Sequence, residues 1–291
     1  MPFTLIKGAF FATGYSPDGD SVKFKADDKD DWKRVKGRVK MSLTKGHVQL
    51  RFEGIDALET HYRPSVRGAA YRHQPLALAR AARDFMLSSV GIKNVVWGAG
   101  EGKVISSGDG VPGYILSREV DSDRYGRPVS FVFAGSAPTQ QVENVFLTPQ
   151  WLKQSVNYRL LAEGLAYPTY YRTLFYDLRD ELSSAVKAAR ASSSPKGLWK
   201  QDGTGGFTFS GESTITDDVP ILPKLFRRLI EHLALGGALG GFKAFLESKK
   251  DGLLVLPQAN HTDAMDAITE VSGSRIGLTV QPENIVFDPQ L

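Results

Sequence analysis

His47-Val48-Gln49-Leu50-Arg51-Phe52-Glu53-Gly54-Ile55 sets Val48, Leu50 and Phe52 against Gln49, Arg51 and Glu53. Successive side chains of an extended chain leave opposite faces, so this stretch predicts a strand buried on one side. It runs straight into Asp56-Ala57-Leu58-Glu59-Thr60, which places two carboxylates at the end of a core strand. Outward from it, the same patterning predicts strands over 3–12 and 21–26, around the turn Ser16-Pro17-Asp18-Gly19-Asp20. Further strands are predicted near 93–97, 112–118 and 128–134. Pro75 opens a helix that stops at Gly91, and Thr148-Pro149 supplies an N-cap and a first-turn proline for a helix ending at Gly164. A third helix covers 173–191. Strands first, one helix among them and helices after them predict an α+β chain built on an OB-fold, a five-stranded β-barrel with three helices. The charge-dense stretch 27–40 is expected to be a long loop or an exposed hairpin.

At 291 residues the chain has room for one large domain or two modest ones, and 42% apolar with 23% charged residues is the balance of a globular protein. No apolar run approaches the roughly 18 residues that a membrane span needs, so no membrane association is expected. Residues 1–11 carry one lysine and no long apolar core, which does not read as a signal peptide. If Met1 is the native start, the expectation is a cytoplasmic protein; if a leader preceded it, a secreted or periplasmic one. With no cysteine, disulfides and thiolate metal sites are excluded. The five histidines, His47, His61, His73, His232 and His261, lack metal-ligand spacing. There is no Gly-rich phosphate loop and no G-x-S-x-G.

Charge divides the chain. Residues 1–202 hold 29 Lys/Arg against 21 Asp/Glu, whereas residues 203–291 hold 7 against 11. The basic part suits a polyanionic partner. Residues 203–213, rich in Gly, Thr and Ser, are expected to link a domain of residues 1–202 to an accessory α+β domain of residues 214–291, with an amphipathic helix near 222–235 and strands at 253–256 and 275–287. The acidic tail has two readings: a docking or autoinhibitory unit that shields the basic site, or a segment that packs on the barrel for stability.

Three blocks carry the chemistry: Pro17 to Val22, Arg51 to Thr60, and Asp123-Arg124-Tyr125-Gly126-Arg127-Pro128. Asp20 and Asp56, brought side by side by neighbouring strands, would offer oxygen ligands to a hard ion, Ca²⁺ more readily than Mg²⁺. Arg51 and Arg127 suit two-pronged contact with a phosphate, and Glu59 is a further carboxylate for water. This is a parts list for metal-assisted phosphodiester hydrolysis. One demand comes with it: Arg51 and Asp56 are five residues apart, which in an unbroken strand puts them on opposite faces, so a bend or barrel curvature near Gly54 must reorient one of them.

These blocks resemble the staphylococcal nuclease (thermonuclease) family over about residues 9–200. The resemblance adds Asn157-Tyr158-Arg159-Leu160-Leu161-Ala162-Glu163-Gly164-Leu165-Ala166 and Gly197-Leu198-Trp199 to the three blocks. It implies an OB-fold enzyme that cleaves DNA and RNA with Ca²⁺ and leaves 3′-phosphates. Carried over, Asp20, Asp56 and the backbone carbonyl of Ala57 would bind the ion, with Asp18 behind them. Glu59 would position or deprotonate the attacking water. Arg51 and Arg127 would hold the scissile phosphate, Arg124 would lie near the phosphates, and Tyr170 would pack against the nucleotide. Ala57-Leu58 stands where the family has Thr-Pro, and Arg172 where it has a second tyrosine. The resemblance therefore implies a sugar-nonspecific endonuclease; the alternative is a nuclease-like fold that binds nucleic acid without cutting it.

Overall fold

The computed structural model describes residues 2–120, 126–191 and 193–289. Strand β1 (Thr4–Phe11) pairs antiparallel with β2 (Lys23–Ala26), with Phe10 opposite Phe24. The charged stretch that follows is not a bare loop. It winds into a 3-10 turn, Lys29–Arg34, that buries Trp32 edge-on to Phe24, so one aromatic anchors a run of surface charges.

The strand predicted over 47–55 is interrupted twice, giving β3 (Val48–Gln49), β4 (Arg51–Phe52) and β5 (Ile55–Ala57). The second break is at Gly54, whose φ of +76° favours glycine and where a Cβ would lie 2.8 Å from Leu182. Helix α1 (Leu76–Ser89) and the hairpin β6 (Val96–Trp97) and β7 (Val104–Ser106) come next, then the long pair β8 (Val111–Val120) and β9 (Pro128–Ala134). The main sheet runs β3-β2-β1-β8-β9-β4. Its two edges, β3 and β4, are separated in the chain only by Leu50, so continuing the chain from one edge to the other curls the sheet into a nearly closed barrel. With β3 and β4 taken as one bent strand, the barrel has the five predicted strands of an OB-fold.

The helix predicted from Thr148 is two helices. Thr148 caps α2 (Pro149–Leu152), and Ser155 caps α3 (Val156–Ala162) by accepting from the Tyr158 N–H. Asn157, fully buried on α3, accepts from the Val132 N–H at 2.9 Å and donates to the carbonyls of Glu53 (2.9 Å) and Ser130 (3.1 Å). One side chain thus ties the turn after β4 to β9. Strands β10 (Ala166–Pro168) and β11 (Tyr170–Tyr171) lead to α4 (Tyr176–Ala191).

The stretch expected to link two units carries β12 (Phe207–Thr208), with Phe207 buried in the core. Beyond it lie α5 (Pro223–Ala234), α6 (Phe242–Lys249), β13 (Leu253–Val255), β14 (Asn260–Thr262), β15 (Thr269–Ser272), β16 (Arg275–Leu278) and β17 (Ile285–Phe287). This segment is sewn to the barrel segment. Strand β17 pairs in parallel with β11, Gln74 donates to the Ile221 carbonyl (2.7 Å), and Arg190 pairs with the buried Glu283. One hydrophobic core contains Phe52 and Leu182 together with Phe226, Leu229 and Phe287. Among the described residues no single helix is long and apolar enough to cross a membrane.

Candidate active site

Two short elements bring the carboxylates together. The turn before β2 holds Asp18 and Asp20 around Gly19, where a Cβ would lie 2.7 Å from that of Ala57 and 2.8 Å from that of Ala82 on α1. Only glycine lets this turn nest between β5 and the helix. The Ala57 N–H then donates to Asp20 Oδ2 at 3.2 Å, and the Phe52 N–H to the Asp20 carbonyl at 3.0 Å. Asp56 lies on β5 opposite Tyr167, and Glu59 follows in the loop after it. Gln74 holds that loop: the Glu59 N–H donates to Gln74 Oε1 (3.3 Å), and the Gln74 N–H to the Glu59 carbonyl (2.9 Å). Asp18 accepts from the Thr60 hydroxyl and lies 3.3 Å from His61 Nδ1.

The crowding of acids leaves its mark. Burial raises the pKa of Asp20, and Asp56, Asp18 and Glu59 raise it further, against the opposing hydrogen bond from Ala57. Burial also raises Glu59, where Arg227 works against the push from Asp18 and Asp56.

The arginines take a neighbouring surface. The bend at Gly54 meets the demand set by the odd spacing of Arg51 and Asp56, because β4 stays in the barrel sheet while β5 leaves it to pair with β10. Arg51 donates to the Tyr171 hydroxyl at 3.2 Å, with its guanidinium 5.3 Å from the ring centre. Both Arg51 and Asp56 act electrostatically on Tyr171, so the two meet around that ring. Arg51 is paired with Val129 across β4 and β9, two residues from Arg127. Lys23, paired with Gln49 on β3, has its pKa lowered by burial and by Arg127. Lys23, Gln49, Arg51 and Arg127 thus make a half-exposed, basic strip next to the carboxylates. Arg124 lies outside the described residues.

One expected residue does not reach the site. Tyr170 is fully buried and hydrogen-bonded to Ser183 at 3.0 Å, so it packs in the core and not against a nucleotide. Alternation along β11 turns its neighbour Tyr171 to the site instead. Arg172 pairs with Asp288.

The residue that sequence reading missed is Arg227 on α5. Its Nη1 lies 3.1 Å from Asp56 Oδ1 and 2.6 Å from Glu59 Oε1, and its Nη2 lies 2.5 Å from Asp56 Oδ2. The Coulombic pull of Asp56 and Glu59 outweighs the cost of burial and holds its pKa above the ordinary arginine value. The oxygens offered by Asp20, Asp56 and Ala57 are of the kind that Ca²⁺ takes. With both Asp56 oxygens on the guanidinium they do not make a metal site as folded, and no group of three or more acidic or histidine side chains among the described residues could hold an ion. The only sequence signal was the pair Arg227-Arg228 within a helix of an acidic segment, and no local rule says which carboxylate such a pair will meet.

A small barrel that gathers four carboxylates at one end, beside an arginine-bearing strip, has the layout of a nuclease-like OB-fold. The family model described as staphylococcal nuclease homologue matches residues 49–201, more than half of the chain, and the chain belongs to that family. The family is in general one of nucleases that bind nucleic acids. Asp18 and Asp20 precede the matched span. No curated protein matches the chain.

Proposed function

We propose that this chain is a nuclease that hydrolyses phosphodiester bonds of DNA and RNA without reading sequence, leaving 3′-phosphate ends. The observation that carries this reading is the gathering of Asp18, Asp20, Asp56 and Glu59 at one end of the barrel, with Arg51 alongside. In this reading Arg51 and Arg127 grip the scissile phosphate and offset the charge that grows on it. Glu59, freed from Arg227, orients the attacking water and takes its proton. Ca²⁺, or less readily Mg²⁺, belongs to the proposal as the ion that Asp20, Asp56 and the Ala57 carbonyl suit once Asp56 is released. The basic strip binds phosphates rather than base edges, so affinity should fall steeply with salt and depend little on sequence.

A second reading has an observation in its favour. With Arg227 on Asp56 and Glu59, the chain would hold nucleic acid through its basic strip and cut nothing. Incubation of duplex DNA, single-stranded DNA and RNA with Ca²⁺, Mg²⁺ or EDTA, beside Arg127→Ala, separates the two. Metal-dependent cleavage lost in the variant supports the nuclease. Binding with no cleavage under any metal, in wild type and in variants that free Asp56, supports the binding module.

A further inference from the structure

We propose that Arg227 is a built-in competitor for the carboxylates at which a divalent cation would bind, so that the C-terminal segment keeps the site closed to metal. This rests on the nuclease reading for what the site is for, but not for whether Arg227 blocks it.

The guanidinium grips Asp56 with two prongs and reaches Glu59 with one of them. A carboxylate whose two oxygens face a guanidinium cannot also turn them to an ion, and a divalent cation beside Asp56 would be repelled by Arg227. The competitor brings one positive charge and only N–H donors, so it neutralises the acids without the Lewis acidity of a metal.

Its delivery is built into the fold. Arg228, the next residue, is locked to Asp251 at 2.6 and 2.8 Å, and Lys224, one turn back, lies 3.3 Å from the same carboxylate. Leu225, Phe226, Leu229 and Ile230 are in the core. The run into α5 is tied to the loop it blocks: Gln74, which brackets Glu59, donates to the Ile221 carbonyl at 2.7 Å. The position of α5 and that of the Glu59 loop are therefore set by the same amide. One of the two readings of the acidic tail has it shield basic residues; the contact has the opposite polarity, a tail cation on barrel acids.

The test is metal binding by the full chain, followed by terbium luminescence and by the rise in melting temperature with excess Ca²⁺. Wild type should bind weakly. Arg227→Met, which keeps the length and removes the charge, should bind at least about tenfold more tightly, and adding Asp56→Asn should abolish the gain. Arg227→Lys, a point charge without the fork, should fall between them and serves should the methionine variant not fold. Equal affinity in wild type and these variants, or a gain that survives Asp56→Asn, overturns the proposal. Cleavage in the same preparations tells the two readings apart. An Arg227→Met protein that binds metal and cuts nothing keeps the competitor and sinks the nuclease. A wild type that cuts with Ca²⁺ as fast as the variant does the reverse.

Discussion

Helix α5 turns two consecutive arginines toward two buried acidic centres, and the centres differ in how their charge is met. In the C-terminal segment Asp251 is flanked by Arg228 and Lys224, and Glu231 by Arg228 and Lys249. Asp251 is lowered to about 2, with Arg228 and Lys224 overcoming the cost of its burial. In the barrel, Asp56 and Glu59 share the Arg227 guanidinium, and Asp18 lies beside the His61 ring. There burial and mutual repulsion raise Asp20 and Glu59. The first centre is closed in charge and serves to hold the helix. The second crowds four carboxylates together, and its acids are pushed up where Asp251 is pulled down.

The sharpest contrast should come from function. Arg51→Ala should lower kcat for polynucleotide cleavage by about 10²–10³-fold while leaving the melting temperature near that of wild type. The same loss with a collapse of stability would make Arg51 a structural residue and blur the distinction between the centres. Asn157→Ala should lower stability by about 3 kcal/mol in urea unfolding, because it orphans the buried Glu53 carbonyl and the Val132 N–H and leaves the Ser130 carbonyl with the Glu53 N–H alone. A smaller loss, under about 1 kcal/mol, would mean that the β4 turn is held without it.

On the C-terminal side, Asp251→Asn should cost about 2 kcal/mol at neutral pH, because Arg228 and Lys224 hold its carboxyl down at about 2 in the fold. The sign follows from the depressed native value. The contribution is complete above about pH 4 and is lost as pH falls toward about 2, so the gap between wild type and variant should close over that window. A gap that persists at pH 2 would show that Asp251 acts through shape rather than charge. The smallest effect concerns the two neighbouring tyrosines. Tyr170→Phe should cost about 1 kcal/mol of stability and leave nucleic-acid affinity unchanged. Tyr171→Phe, which removes the acceptor for Arg51, should weaken binding about twofold with little change in stability. Reversal of that pattern would return Tyr170 to the substrate side.

Much of the barrel was legible because its signals are local. Alternation marked the strands, proline and threonine marked helix starts, and Asp20, Asp56 and Glu59 stood at strand ends that a barrel brings together. Where the reading failed, longer-range packing decided. Periodicity could not show that Trp32 would bury itself and turn a charged stretch into a helical turn, or that Ser155 would cap a new helix inside a predicted one. Tyr170 and Tyr171 look alike in the chain. Only the pairing of β11 with β17 and the packing of Ser183 on α4 decide which one faces the core.

The sequence by itself determined the barrel, its family and the identity of the acids and arginines at one end, because each depends on patterns a few residues long or on a motif in order. The tertiary structure decided what meets those acids. Arg227 lies 171 residues beyond Asp56, and nothing within a turn of either predicts the other. A salt bridge over that separation exists only because α5 is held by Asp251 and the shared core, which brings its guanidinium to the mouth of the barrel.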